Sequence, residues 1–152
     1  MLVGYFTVLL SALFACGPAA GTTTLTTTLA TGPQSIYIVN GNISVSAETR
    51  NNYAFNISAT MKDVSVVGVF KTFGGAPNTI EVYIMDDATY NKWLKNSGVP
   101  NILFDSEQLS SGDIDQAITT PGEYHLVFAN YAPASLSPAQ QVTTTIELKW
   151  VN

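Results

Sequence analysis

The sequence predicts an all-β fold, an antiparallel β-sandwich with one short helix, built from residues 35–152. Apolar and polar residues alternate with a period of two through most of this stretch, which is typical of strands that bury one face. About nine such runs are separated by glycine, proline and asparagine turn signals, as expected of a sandwich. With 46% hydrophobic and 11% charged residues, the chain can bury a sizeable core.

Five runs before the helix are predicted strands. The first two flank Asn40-Gly41, a dipeptide typical of two-residue hairpin turns. The third alternates Tyr53 and Phe55 with smaller or more polar residues, so we expect it to have one buried face. The last two are separated by Gly-Gly-Ala-Pro-Asn, a composition that favours a turn. The five runs are residues 35–39, 43–46, 53–59, 64–70 and 80–84.

A single helix is predicted after the fifth strand. Asp86 or Asp87 can cap its start, because a carboxylate accepts hydrogen bonds from the free amides of a first turn. Gly98 and Pro100 are expected to end it, since both disfavour helical continuation. Its predicted apolar face is Tyr90, Trp93 and Leu94. Strand patterns then resume at residues 102–104, 114–118, 123–130 and 142–151.

Residues 1–16 are interpreted as an export signal. The apolar run is shorter than the ~20 residues that span a bilayer as a helix. Leu13, Ala15 and Cys16 resemble the lipobox of bacterial lipoproteins, whose cysteine is lipidated and becomes the mature N-terminus. Two alternatives stay open: an ordinary signal cut after Ala15 or a small residue shortly beyond it, and an uncleaved anchor. We therefore expect an extracytoplasmic protein, either lipid-anchored to a membrane through Cys16 or secreted.

Residues 17–34 are predicted to be a Thr-rich linker between the signal and the sandwich. Seven of the ten residues 22–31 are threonine, and so few apolar groups cannot offset the entropy lost on ordering. The alternative interpretation is an edge strand, because threonine favours an extended backbone.

Charge and cysteine content narrow the class of protein. The formal net charge is −5 without a basic cluster, so nucleic acids and anionic lipid surfaces are poor partners. Cys16 is the only cysteine, so no disulfide can form within one chain. The sandwich must therefore depend on core packing for its stability.

The last two predicted strands carry a pattern of their own. Gly-x-Tyr-x-Leu-x-Phe-x-Asn is followed by a loop and a long terminal strand that closes with Lys149-Trp150. The pattern residues are Gly122, Tyr124, Leu126, Phe128 and Asn130. Over about residues 60–152, this arrangement resembles the GOLD-like (Golgi-dynamics) β-sandwich. The resemblance implies an exported or lumenal module that binds proteins or lipids and has no catalytic centre.

Five acidic residues near the helix start and the later strands are candidate ligands for Ca²⁺. Carboxylate oxygens are the ligands that Ca²⁺ prefers, at about 2.4 Å. They form a site only if their loops meet at one end of the sandwich, and otherwise they serve as a helix cap and solvated turn acids. No organic cofactor is expected. The candidates are Asp86, Asp87, Asp105, Asp113 and Asp115.

The single histidine, His125, does not predict catalysis. We expect it on a strand face shared with Glu123 and Val127. No Gly-x-Ser-x-Gly motif accompanies it, so a serine hydrolase triad is not expected. A zinc site is also not expected from one histidine and one cysteine. The chain is therefore interpreted as a non-enzyme.

Aromatic side chains and sequons are the remaining surface candidates. Exposed rings can form a platform for sugars, whereas inward rings are core contacts. The sequons are of the form Asn-Ile-Ser, and their use depends on a host that glycosylates exported proteins. The aromatic candidates are Tyr90, Trp93, Tyr131 and Trp150, and the sequon asparagines are Asn42 and Asn56.

Two classes of function follow from these observations. The first is a non-catalytic extracytoplasmic binding module, tethered to the cell surface, with a protein, lipid or glycan ligand. The second is a structural surface or filament subunit in which the Thr-rich segment adds as a strand to a neighbouring domain. A free, protease-sensitive Thr-rich segment indicates the first class, and a protected segment indicates the second.

Overall fold

The computed structural model describes residues 32–74, 76–97, 101–135 and 139–152. Within these residues the chain forms eight strands and one helix, arranged as two antiparallel four-stranded sheets, so the predicted all-β sandwich is confirmed. The predicted signal, Cys16 and linker residues up to 31 lie outside the described residues. The elements are β1 (Pro33–Ser46), β2 (Thr49–Ile57), β3 (Lys62–Phe73), β4 (Ile80–Asp86), α1 (Asp87–Leu94), β5 (Phe104–Leu109), β6 (Ser111–Ala117), β7 (Gly122–Asn130) and β8 (Ala139–Val151).

The two sheets pack face to face around the main hydrophobic core. The first sheet has the strand order β1-β8-β3-β6, and the second has the order β2-β7-β4-β5. Alternate residues of β7, Tyr124, Leu126 and Phe128, are buried in this core. Val66 and Ile146 of the first sheet are fully buried in the same cluster. Each such aliphatic or aromatic side chain stabilises the fold by about 1.5–3 kcal/mol through burial.

The predicted hairpin at Asn40-Gly41 is wrong. β1 runs unbroken through both residues, which pair with Thr145 and Thr144 of β8. Gly41 has a φ of 128°, a conformation open to glycine, and so the chain stays in the ladder instead of reversing. The chain crosses to the second sheet only after Ser46, where Glu48 has a φ of 55°. β1 also includes residues 33 and 34, which the sequence analysis assigned to the linker.

Two strands have other bounds than predicted, because the runs 102–104 and 114–118 correspond to β5 at Phe104–Leu109 and β6 at Ser111–Ala117. β5 is an edge strand of the second sheet, and β6 is an edge strand of the first. An edge strand has a hydrogen-bonded neighbour on one side only, and charged side chains there oppose unwanted pairing. The apolar pattern of Phe104-Asp-Ser-Glu-Gln-Leu109 is correspondingly weak, because Phe104 and Ser106 are half-buried and the other four residues are exposed.

The centre of the second sheet is buried on both faces. Its central strands, β4 and β7, carry almost continuous runs of buried residues. The face away from the main core holds a second cluster of Tyr83, Met85, Val127 and Ala129. Side chains of α1 pack on this cluster, so α1 forms a third layer. Among the described residues, the structure contains no helix with the length and apolar character needed to span a bilayer.

Asp86 fixes the start of α1, as predicted for one of the two aspartates. Its Oδ1 accepts a hydrogen bond of 2.6 Å from the backbone N–H of Thr89. Its own backbone is extended, as an N-cap requires. Asp87 is therefore not the cap, and it is the first residue of α1.

Candidate functional site

The candidate site lies on the side of the second sheet that α1 covers, here called the outer face. Directly paired antiparallel residues point to the same side, so register decides which side chains meet there. In β7 the outer face carries Glu123 and His125, as the period of two predicts. His125 pairs with Met85 of β4 and with Ala54 of β2. Asp87 follows Met85 by two residues, so the first turn of α1 lies beside the histidine.

His125 is held on three sides. Only 5% of the residue is exposed. Its Nδ1 lies 3.1 Å from Oδ1 of Asn52, and its Nε2 lies 3.2 Å from Oδ1 of Asp87. The ring of Tyr90 stacks on the imidazole with centroids 4.0 Å apart and planes 18° from parallel. The imidazole thus has a fixed orientation, with its Nε2 directed toward the partly exposed start of α1.

A row of aromatic rings continues from His125 across the outer face. Tyr90 stacks against Trp93 with centroids 6.1 Å apart. Trp93 contacts Tyr83 at 5.5 Å, with the planes tilted by 57°. The guanidinium of Arg50 lies 5.1 Å from the centroid of the Trp93 ring, a cation–π distance. Tyr131 ends the row, with its hydroxyl 3.3 Å from that of Tyr83.

Acidic side chains adjoin the Tyr131 end of the row. Burial raises the pKa of Glu81 above its usual 4.5, the Tyr83 hydrogen bond opposes that rise, and the charges of Asp105 and Glu107 add to it. Burial also raises the pKa of Tyr83 and of Tyr131. Both phenols therefore keep their protons at neutral pH and can donate hydrogen bonds. This end of the outer face combines hydroxyl donors, carboxylate acceptors and exposed ring surface.

The structure separates most of the acidic residues that were candidates for Ca²⁺. Asp86 caps α1, and Asp105 accepts a 2.8 Å hydrogen bond from the backbone N–H of Glu107. Asp113 and Asp115 belong to β6 in the first sheet, where they pair with Val69 and Val67. Asp87 alone among the five joins a cluster of possible ligands. Over the described ranges, the metal-ligand group whose atoms lie within 4.8 Å of one another consists of Asp87, Glu123 and His125.

The aromatic candidates divide between the two sheets. Tyr90, Trp93 and Tyr131 all belong to the aromatic row, and Tyr131 is 48% exposed. Trp150 lies on β8 in the first sheet, where its Nε1 donates a 3.1 Å hydrogen bond to Oδ1 of Asn152. The structure adds Tyr83 to the group, which the sequence analysis treated as a strand residue.

Sequence reasoning missed Arg50, Asn52 and Glu123 as members of the site. The period of two places Arg50 and Asn52 opposite the inward Tyr53 and Phe55, and that is the one available signal. It does not reveal that β2 pairs with β7, which brings Asn52 to a histidine 73 residues away. Long-range register is a tertiary property, so these neighbours could not be derived from local patterns.

Both sequon asparagines lie on exposed strand positions. Asn56 is exposed on β2, an edge strand of the second sheet. Asn42 is exposed on β1, and its Oδ1 accepts a 2.8 Å hydrogen bond from the Thr143 hydroxyl.

No family model matches this chain, and no curated protein matches it in sequence. Fold and site define the protein as an antiparallel β-sandwich in which a helix covers the outer face of one sheet. The GOLD-like resemblance stays a prediction.

Proposed function

We propose that this chain is a non-catalytic extracytoplasmic binding module, tethered to the cell surface by its N-terminal segment. Its ligand-contacting surface is the Tyr131 end of the outer face, and a glycan is the ligand class that this surface favours over a protein or a lipid. The observation that carries the proposal is the aromatic row with Arg50 at its side and neutral tyrosine hydroxyls at its end. The GOLD-like resemblance supports a binding role of the same general kind.

The chemistry of this surface matches that of a sugar. A half-exposed flat ring such as Tyr131 offers apolar area to the C–H face of a pyranose. The hydroxyls of Tyr83 and Tyr131 and the nearby carboxylates of Glu81 and Asp105 offer donors and acceptors for sugar hydroxyls. Binding sites use a few such convergent polar groups on an apolar base to orient a ligand.

A glycan array followed by calorimetry tests the ligand class. Tyr131→Ala removes the exposed ring and should weaken binding at least ~10-fold, the effect of losing a ~1.4 kcal/mol contact. Tyr37→Ala is the matched control, because Tyr37 is 55% exposed but lies on the first sheet. The proposal is contradicted if the protein binds no glycan on the array. It is also contradicted if the two variants reduce glycan binding equally.

The tether is tested by the intact mass of the mature protein recovered from a membrane fraction. A chain that begins at Cys16 and carries lipid supports the surface-tethered module. A mature chain without lipid, or one that still carries the apolar segment, removes the lipoprotein interpretation and favours secretion or an uncleaved anchor.

One observation favours the alternative function, a structural subunit that assembles by strand addition. β1 is a 14-residue edge strand of the first sheet, and it exposes 58% of Ile36 and 55% of Tyr37. A groove of about 340 Å³ opens beside them, lined in part by Phe55, Met61 and Trp150. Exposed edge strands with apolar side chains accept an added strand.

Limited proteolysis with size-exclusion chromatography separates the two functions. Rapid cleavage within residues 22–31 of a monomeric protein supports the tethered module. Protection of that segment in an oligomer supports the subunit, because strand exchange buries it.

A further inference from the structure

We infer that Asp87, Glu123 and His125 form a binding site for a divalent transition-metal ion such as Zn²⁺. One imidazole nitrogen and two carboxylate oxygens are available, and these ligand atoms lie within 4.8 Å of one another. Zn²⁺ accepts this ligand combination in proteins, with a fourth position for water or an outside ligand. The inference goes beyond the proposed function and does not depend on it.

The two ring nitrogens of His125 face different partners. Nδ1 lies 3.1 Å from Oδ1 of Asn52, and Nε2 lies 3.2 Å from Oδ1 of Asp87. When Nδ1 donates its N–H to Asn52, Nε2 can offer its lone pair to a metal ion that the Asp87 carboxylate also binds.

Asn52 contacts the ring nitrogen of His125 that faces away from Asp87, as the outer-shell partner in a metal site does. A histidine that binds metal through one ring nitrogen usually donates the other N–H to an oxygen, which fixes the tautomer and the ring orientation. The Tyr90 ring, stacked at 4.0 Å, holds the imidazole plane in the same way. Nε2 is thus oriented toward the two carboxylates before an ion arrives.

The distances fit a small tetrahedral ion. Bonds of about 2.0–2.1 Å at tetrahedral angles place two ligand atoms about 3.3 Å apart. Nε2 and the Asp87 oxygen already meet that spacing at 3.2 Å. The Glu123 carboxylate is exposed, and rotation of its side chain can close the remaining gap.

Backbone elements hold two of the ligands and leave access for an ion. Glu123 and His125 are two residues apart on β7, and Asp87 begins α1 beside them. The Asp87 side chain is 51% exposed whereas that of His125 is 6% exposed. An ion therefore enters from solvent and binds a buried nitrogen. Two carboxylate side chains also complement a 2+ charge.

Zinc titration of the untagged full chain tests the site, because His125 is the single histidine and gives unambiguous imidazole signals. Calorimetry should show one Zn²⁺ per chain, and ¹⁵N-detected NMR should show a large shift of Nε2 with Nδ1 still protonated. Asp87→Asn and Glu123→Gln should each weaken binding more than ~10-fold, and Asn52→Leu should weaken it ~10–100-fold through loss of the outer-shell bond.

Two controls separate this site from other zinc ligands. Asp115→Asn changes an acidic residue on the first sheet, and Cys16→Ser removes the thiol, so both should bind Zn²⁺ like the parent chain. Because Asp87 and Glu123 are exposed, their variants should fold even if replacement of the buried His125 disturbs the fold.

Two results would overturn the inference. One is an imidazole signal that Zn²⁺ does not shift, and the other is a zinc affinity in the Asp87→Asn variant equal to that of the parent chain. Glycan binding measured in the same variants distinguishes loss of the metal site from loss of the proposed ligand surface.

Discussion

At the scale of single residues, the local pattern around His125 predicts its strand face but not the residues that it contacts. Its strand face was predicted, since β7 does place it opposite the buried Tyr124 and Leu126. Its hydrogen-bond partners could not be predicted, because Asn52 and Asp87 are 73 and 38 residues away in the chain. A period of two assigns a side chain to a face but says nothing of what packs on that face.

Glu81 should make stability depend on pH. Burial raises its pKa in the folded state above 4.5, so the folded state holds the proton more tightly than the unfolded state. The stabilising contribution is present below pH 4.5 and is lost as the pH rises through the folded pKa. Glu81→Gln removes this dependence. Urea denaturation at several pH values should show a smaller loss of stability toward neutral pH in the variant. An equal or steeper loss would contradict the assignment.

At the scale of elements, long-range pairing overrules local turn chemistry. Asn40-Gly41 is a strong hairpin signal, yet β1 pairs with β8 at thirteen registered positions, with one register shift between Tyr37 and Val39 and regular pairing through Asn40 and Gly41. Each ladder position adds backbone hydrogen bonds that a reversal at Gly41 would leave unmade. α1 shows the opposite case, because its start was predicted from local chemistry and Asp86 does cap it.

The helix cap of α1 can be measured directly. Asp86→Ala leaves the Thr89 amide without its acceptor and should lower the free energy of unfolding by about 1 kcal/mol. Asp86→Ser is the matched control, since a serine hydroxyl also caps helices and should retain most of the stability. Chemical denaturation of both variants provides the comparison. Equal losses in the two would show that the carboxylate acts by some route other than capping.

Gly68 permits the close approach of β3 and β8. A Cβ at this position would lie 2.7 Å from the Cα of Ile146 and even closer to the carbonyl oxygen of Thr145, both backbone atoms. The strands must separate to admit a methyl group, so Gly68→Ala should destabilise the fold by about 1–3 kcal/mol. Ser65→Ala, on the same strand, is the control and should cost less. Unchanged thermal stability of Gly68→Ala would contradict the packing described here.

At the scale of the whole molecule, the described residues form two hydrophobic clusters. The main core lies between the sheets, and the smaller cluster lies under α1. The described members of both clusters lie within β1 or later in the chain. β1 begins at Pro33, inside the predicted linker, and the division into signal, linker and one sandwich domain stays a prediction.

A chain that begins at residue 32 should fold with the thermal midpoint of the full chain, because it keeps every described residue of both core clusters. A chain that begins at residue 47 is the control. It lacks all of β1, including the buried Val39 and Val45, and leaves one edge of β8 unpaired. Calorimetry should show cooperative unfolding for the first and strong destabilisation for the second. A lowered midpoint in the first would mean that residues before 32 pack on the sandwich.

Local sequence patterns predicted the fold class, the strand faces and the capped start of α1. These depend on local periodicity and local hydrogen bonding, as the buried Tyr124, Leu126 and Phe128 and the Asp86 cap illustrate. The tertiary structure alone decided the continuous β1, the meeting of Arg50 with Trp93, and the grouping of Asp87 and Glu123 around His125. Those features follow from strand register and layer order, which arise from contacts between segments far apart in the chain.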